Sequence, residues 1–220
     1  MALPIRVTKA LTAGVVTAVT TNQTLLAAGN YVIDGTLATG GVAIFTTGRR
    51  VLMTPAADET GHNFTIYGTL KGSGAAISEV LAGSNVAQYT TQDFGTVTRI
   101  AVDATPTGAV EFGTNGVGST HWILTNYNIS PYAVGFEVEV TGTVNYTVQS
   151  TGDNPLDQVQ NNFPPNVVKI PVPFDHPTVA AQTSSKDGNY AFPPGGGIRC
   201  TINSGTGTIV FVVTQAGIRN

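Results

Sequence analysis

Tyr132-Ala133-Val134-Gly135-Phe136-Glu137-Val138-Glu139-Val140 is the stretch that decides how this chain folds. Val134, Phe136, Val138 and Val140 fall on one side of an extended backbone, and Gly135, Glu137 and Glu139 fall on the other. Alternation of period two is the signature of a strand with one face in a core and one in water. Thr141-Gly142 interrupts it, and Thr143-Val144-Asn145-Tyr146-Thr147-Val148-Gln149 resumes an extended pattern, which predicts a hairpin of the two runs.

The same texture extends in both directions. Upstream lie Val15 to Thr20, Tyr31 to Thr36, Val42 to Phe45, Arg50 to Thr54, Phe64 to Thr69, Glu79 to Leu81, Gln88 to Thr90, Phe94 to Val102 and Ala109 to Phe112, each of strand length and bounded by glycine or polar residues. Downstream, Ile198 to Ile202 and Thr208-Ile209-Val210-Phe211-Val212-Val213-Thr214 follow Gly195-Gly196-Gly197 and Gly205-Thr206-Gly207. The continuous apolar run of the last strand predicts burial on both of its faces. No segment sustains an i, i+3, i+4, i+7 pattern with caps, so the predicted class is all-β.

Composition agrees. Lys, Arg, Asp and Glu amount to 10% of 220 residues, where a soluble domain ordinarily has about a quarter. Thr and Val suit a pleated sheet, and the 26 glycines supply tight turns. No apolar run approaches the roughly 18 residues of a membrane span. A net charge of -3 gives no basic footprint for nucleic acid or an anionic membrane, since the cations are scattered apart from Arg49-Arg50. A surface with so few charges to keep molecules apart predicts burial between subunits, and hence an assembly.

The expected organisation is an extended N-terminal arm over 1–14, a β-sandwich over 15–117 and a second over 118–220, each jelly-roll or Ig-like. The boundary is set at Gly113-Thr114-Asn115-Gly116-Val117-Gly118-Ser119, the densest small-residue stretch before mid-chain. Residues 152–177 carry Pro155, Pro164, Pro165, Pro171, Pro173 and Pro177, which cannot donate to a ladder, and predict a long excursion with a functional or interface role. Met1 to Val7 lacks a charged segment followed by a long apolar run, predicting a product used without export. The Asn22, Asn63, Asn128 and Asn145 sequons are matches that a Thr-rich chain produces by chance.

Few residues offer chemistry. Glu137 and Glu139 are the closest pair of acids outside a turn, but they share the polar face of one strand and so serve its solvation rather than a glycosidase pair. Asp58-Glu59 sits in a polar loop, Asp58 to Asn63, and reads as solvation too. His62, His121 and His176 are far apart and form no HxH or HExxH spacing for zinc. Asp175-His176 are sequence neighbours that rarely point at each other, and no GxSxG elbow completes a triad. Lys71-Gly72-Ser73-Gly74 and Gly195-Gly196-Gly197 join no strand to a helix, so neither is a phosphate cradle. Cys200, the single cysteine, alternates with Ile198 and Ile202 as a small strand residue. No catalytic, cofactor or metal residues are therefore expected, and no enzymatic activity. Trp122, Tyr127, Tyr132, Phe163, Phe174, Tyr190 and Phe192 concentrate in the second half, where they either fill a core or form a sugar- or protein-binding surface.

Asn63-Phe64-Thr65-Ile66-Tyr67-Gly68-Thr69, Phe94 to Ile100 and Arg49-Arg50-Val51 in the first half resemble β-rich virion structural proteins of tailed bacteriophages. In the second half, Gly142 to Gln149, Phe174-Asp175-His176-Pro177, Asp187 to Ala191 and Gly207 to Gly217 resemble the same group. The resemblance implies a non-enzymatic particle component. The expected role is capsid decoration or cement, binding the major capsid protein on the head exterior as a homo-oligomer, a trimer by preference, with a tail-associated position as the other placement. No cofactor, direct nucleic-acid contact or membrane is expected. A second expectation, from a different class, is a host-recognition module on a tail or head fibre that binds surface glycans through the aromatic loops. A third, a glycan-degrading enzyme, is disfavoured by how few and how spread the acids are.

Overall fold

Strand β1 (Ile5–Ala10) lies at one end of the sequence and pairs antiparallel with residues near the other, Ile5 opposite Val213 and Ala10 opposite Thr208. A computed structural model describes residues 5–71, 74–126, 130–153, 155, 171–190 and 196–218. These divide into two compact units, one formed by residues 13–118 and the other by residues 1–12 together with 119–220. The residues read as an arm over 1–14 thus supply a sheet strand to the C-terminal unit. Sequence alone misses this because the partner of β1 lies beyond an entire intervening unit.

The unit of residues 13–118 holds β2 (Thr20–Gln23), β3 (Gly29–Tyr31), β4 (Ala38–Thr39), β5 (Val42–Arg49), β6 (Val51–Pro55), β7 (Asn63–Leu70), β8 (Ala76–Ala82), β9 (Gln88–Tyr89), β10 (Phe94–Val102) and β11 (Val110–Thr114). One sheet runs β4-β5-β10-β7-β8, with β3 also on β10; the other runs β2-β11-β6-β9. Phe45, Phe64, Ile66, Phe94, Val97 and Ile100 from the first meet Val51, Met53, Val110 and Phe112 from the second in one core. Tyr31 packs edge-on against Phe112 at 5.1 Å between ring centres. Burial of such side chains contributes about 1.5–3 kcal/mol each. The stretch Val15 to Thr20, expected as a strand, is instead a turn, with Ala18 N–H donating to Val15 O, and β2 starts only at Thr20.

The C-terminal unit adds β12 (Gly118–Ser119), β13 (Ile123–Leu124), β14 (Ser130–Thr141), β15 (Val144–Thr151), β16 (Phe174–Asp175), β17 (Lys186–Tyr190), β18 (Gly197–Gly205) and β19 (Thr208–Ile218) to β1. Its sheets run β1-β19-β14-β17 and β12-β18-β15-β16, with β13 also on β18. Val134, Phe136 and Val138 of β14 and Ile209, Phe211 and Val213 of β19 face Val144, Tyr146 and Val148 of β15 and Ile198, Cys200 and Ile202 of β18. Both units are therefore two-layer antiparallel β structures, as the composition predicts.

The hairpin predicted for β14 and β15 does not form, because the two strands belong to opposite sheets. Gly142 turns the chain across the core, and Gly205 to Gly207 does the same between β18 and β19. Gly142 and Gly205 have φ of +82° and +103°, a region that side chains rarely adopt. Thr206 and Gly207 both donate to Thr143 O at 3.1 Å, binding the two crossings together. Burial on both faces of β19 is also corrected: Ile209, Phe211 and Val213 are buried while Val210 and Val212 are half-buried on the outer face.

Candidate interaction surface

The acids go first to holding loops. Glu59, read as a solvated loop residue, is 0% exposed. Its Oε1 accepts from Gly108 N–H at 2.8 Å, and its Oε2 accepts from Thr107 N–H at 3.1 Å and lies 2.8 Å from His62 Nδ1. Its enclosure has a clear cause: the loop's own backbone is tied down as well, His62 N–H to Glu59 O and Gly83 N–H to His62 O, so the carboxylate is enclosed as it bridges two loops. Glu79 accepts from Thr91 N–H at 2.6 Å and Gln92 N–H at 3.0 Å. Asp34 accepts from Thr21 N–H and Oγ1 at 2.7 and 2.8 Å, and the backbone bond chiefly holds its carboxyl below the ordinary aspartate value. Asp103 does the same for Asn63 and is likewise lowered. Carboxylates bonded this way hold loops in place, Glu59 and Glu79 from buried positions and Asp34 and Asp103 from exposed ones.

Glu137 and Glu139 lie on the outer face of their sheet. Glu139 pairs with Arg6 of β1 at 3.1 Å, an exposed pair of small energetic weight. Asp175 turns outward to accept from Gln149 Nε2 at 2.8 Å, while its neighbour His176 turns inward. The His176 ring packs edge-on against Phe136 and Tyr190 at 5.1 and 4.9 Å. Its Nδ1 faces Thr178 N–H at 3.3 Å and therefore accepts, which leaves Nε2 to donate to Asn189 O at 3.2 Å. Among the described residues, no three of His, Cys, Asp or Glu are placed to hold a metal. Cys200 is fully buried, and burial pushes its thiol well above the ordinary value.

Arg49 and Arg50 are also interior, 7% and 8% exposed. They occupy the point where the chain passes from β5 in one sheet to β6 in the other. Arg49 donates to the carbonyls of Ala13 and Asn115, and Arg50 lies 3.8 Å from Asp93 and over the Tyr89 ring. Burial pulls the Arg49 guanidinium below its ordinary value, and Asp93 opposes that shift.

What faces outward is mostly hydroxyl, amide and small apolar. On the larger sheet of residues 13–118, the outer rows read Ile44, Thr96, Thr69 and Ala76, then Arg99, Tyr67 and Ser78, then Ala101, Thr65 and Val80. The Arg99 guanidinium stacks 3.7 Å over Tyr67. On the C-terminal unit, Gln149 Oε1 accepts from two buried donors, Arg199 Nε at 2.9 Å and Thr201 Oγ1 at 3.0 Å, while its amide holds the exposed Asp175. Arg199 in turn lies 4.5 Å over Trp122. One polar line thus crosses β16, β15 and β18 to an indole.

Of the aromatic set, Tyr190 belongs with the core, Phe174 is exposed and Trp122 is half-buried. Tyr127, Phe163 and Phe192 lie outside the described residues, as do the Tyr132 side chain and most of the Pro-rich excursion 152–177. Sequence reading missed Gln149 as a hub, both Arg–aromatic stacks and the Glu59–His62 pair. Only the last left a trace, an acid and a histidine three apart in one turn. The sequence matches no known family model and no curated protein.

Proposed function

We propose that this chain is a bacteriophage virion structural protein, a decoration or cement protein that binds the major capsid protein on the exterior of the head. The observation that carries this reading is the division of labour among polar residues. Glu59, Glu79, Asp34 and Asp103 are engaged in binding backbone N–H groups, while the outer rows around Tyr67 present hydroxyls and small apolar groups beside a single guanidinium, Arg99. Such surfaces suit repeated contact with another protein, where many modest interactions around a symmetric shell sum to a stable coat. Attachment is assigned to these sheet faces, since residues 5–10 are committed to a sheet of the chain itself. Quantitative mass spectrometry of purified particles tests the reading: hundreds of copies per particle support the head, a few or tens point to the tail, and absence from particles refutes it.

The Trp122–Arg199 stack, linked through Gln149 to the exposed Asp175, favours a second reading, a host-recognition module that binds glycans, because a half-buried indole at the end of a line of polar groups is suited to a sugar ring. Binding of the isolated protein to host polysaccharide, lost in Trp122→Ala, would select it over the first.

A further inference from the structure

The outermost strand of the larger sheet in residues 13–118 is β8, which among the described strands pairs only with β7. Its register runs without a shift from Asn63 opposite Ala82 to Thr69 opposite Ala76. Leu70 N–H donates to Ala75 O, and Gly83 N–H donates to His62 O. Both pairs fall in the same register, so the odd-numbered residues of β8 bond to β7. The N–H and C=O groups of Ala76, Ser78, Val80 and Ala82 then point away from the sheet along an open edge.

Natural sheets blunt such edges with charge, proline, bulges or very short strands. The other end strands of the sheets follow that rule: β4, β9, β12 and β16 have two residues each, β2 has four and a register shift against β11, β1 carries Arg6 and Lys9, and β17 carries Lys186 and Asp187. By contrast, β8 has seven residues, no bulge and no proline, and its outward side chains are Ala76, Ser78, Val80 and Ala82, with Val80 60% exposed. Its one charge, Glu79, points inward and is already engaged by Thr91 and Gln92.

We propose that β8 is a self-association edge, pairing antiparallel with β8 of a second copy across a two-fold axis at Val80. The choice of a second copy rests on charge and register. An axis at Glu79 would set two buried carboxylates face to face, whereas an axis at Val80 places Glu79 opposite Leu81, Ser78 opposite Ala82 and Val80 against itself. No like charges meet, about six backbone hydrogen bonds form, and the most exposed apolar side chain of the strand is covered. The resulting symmetry is two-fold, unlike the trimer expected from sequence, and the proposal does not depend on the virion reading.

Sedimentation or light scattering of the full chain at rising concentration provides the test. The expected mass is twice 22.7 kDa. Ser78→Pro removes an N–H from the open edge and none from the β7 ladder, and Val80→Lys sets like charges across the axis. Both are expected to be monomeric and still to unfold cooperatively, with a transition that, unlike the wild type's, does not rise with concentration. Val80→Cys is expected to form a disulfide-linked dimer on mild oxidation, because facing residues of a hydrogen-bonded pair lie within disulfide reach, whereas Ala76→Cys is not. A monomeric wild type, a trimer, or a dimer that survives both edge variants without Val80→Cys cross-linking would overturn the proposal.

Discussion

Replacing Glu59 by Gln removes one charge from the interior and changes almost nothing in shape. In the native protein both carboxylate oxygens accept: one from Gly108 N–H at 2.8 Å, the other from Thr107 N–H at 3.1 Å beside His62 Nδ1 at 2.8 Å. A glutamine has only one acceptor oxygen, so its amide NH₂ must face either Gly108 N–H or Thr107 N–H, donor against donor. With the side chain 0% exposed, water cannot intervene. A stranded buried donor costs about 1–3 kcal/mol, and the surviving bond weakens by about 1 kcal/mol as it loses charge assistance. The sum, about 2–4 kcal/mol, corresponds to a fall of roughly 10–20 °C in the transition of a unit of this size. Calorimetry measures the shift. Trp122, the single tryptophan, lies in the other unit, so its fluorescence follows that unit separately. Asp58→Asn, one residue away and exposed, makes the same change of charge and is expected to stay within about 0.5 kcal/mol of wild type. A Glu59→Gln transition within about 2 °C of wild type would refute the claim that this carboxylate holds two loops together.

Other outcomes follow from the same geometry. Deleting residues 1–10 strips β19 of one of its two partners from Thr208 to Val213 and leaves β14 on its other side; it is expected to lower or abolish the cooperative transition seen by Trp122 fluorescence, while calorimetry still records unfolding of residues 13–118. Gly188 sits directly opposite Phe136, and a Cβ there would enter the space of the Phe136 ring. Gly188→Ala is therefore expected to cost about 1–3 kcal/mol in urea unfolding, with part of the loss recovered when Phe136→Leu is added. Because the folded-state pKa of Asp34 is depressed, its contribution is complete above the ordinary aspartate value and is lost as pH falls through the depressed one. The urea midpoint of residues 13–118 should therefore fall below about pH 4, and less steeply in Asp34→Asn.

What the sequence disclosed and what it hid divide along a physical line. The inward triplets Val134, Phe136, Val138 and Ile198, Cys200, Ile202 are local patterns, because alternation reports which side of a strand is dry. Pairing is not local. Thr141-Gly142 reads the same whether the chain folds back in one sheet or crosses the core to another, and only the partner strands, β17 and β19 for β14, β16 and β18 for β15, decide between the two. Glu59 looks like a solvated loop residue for the same reason, since its enclosure depends on Thr107 and Gly108, nearly fifty positions away. Arg49-Arg50 announced two cations but not the sheet-to-sheet passage that buries them. Among the surface groups, Gln149 carried no signal at all; its importance comes from standing in register between Asp175 and Arg199.

The pairing of β1 with β19 also sets a timetable for the ribosome. Every described strand of the 13–118 unit lies within that segment, so its core is available to form while the remainder is still being made. β1, already emerged, has nothing to pair with until residues 208–213 follow it out. At about 5–20 residues per second, that interval is on the order of 10–40 s. Throughout it, the segment that becomes β1 is held ahead of residues 13–118 without the β19 edge it pairs with in the folded chain.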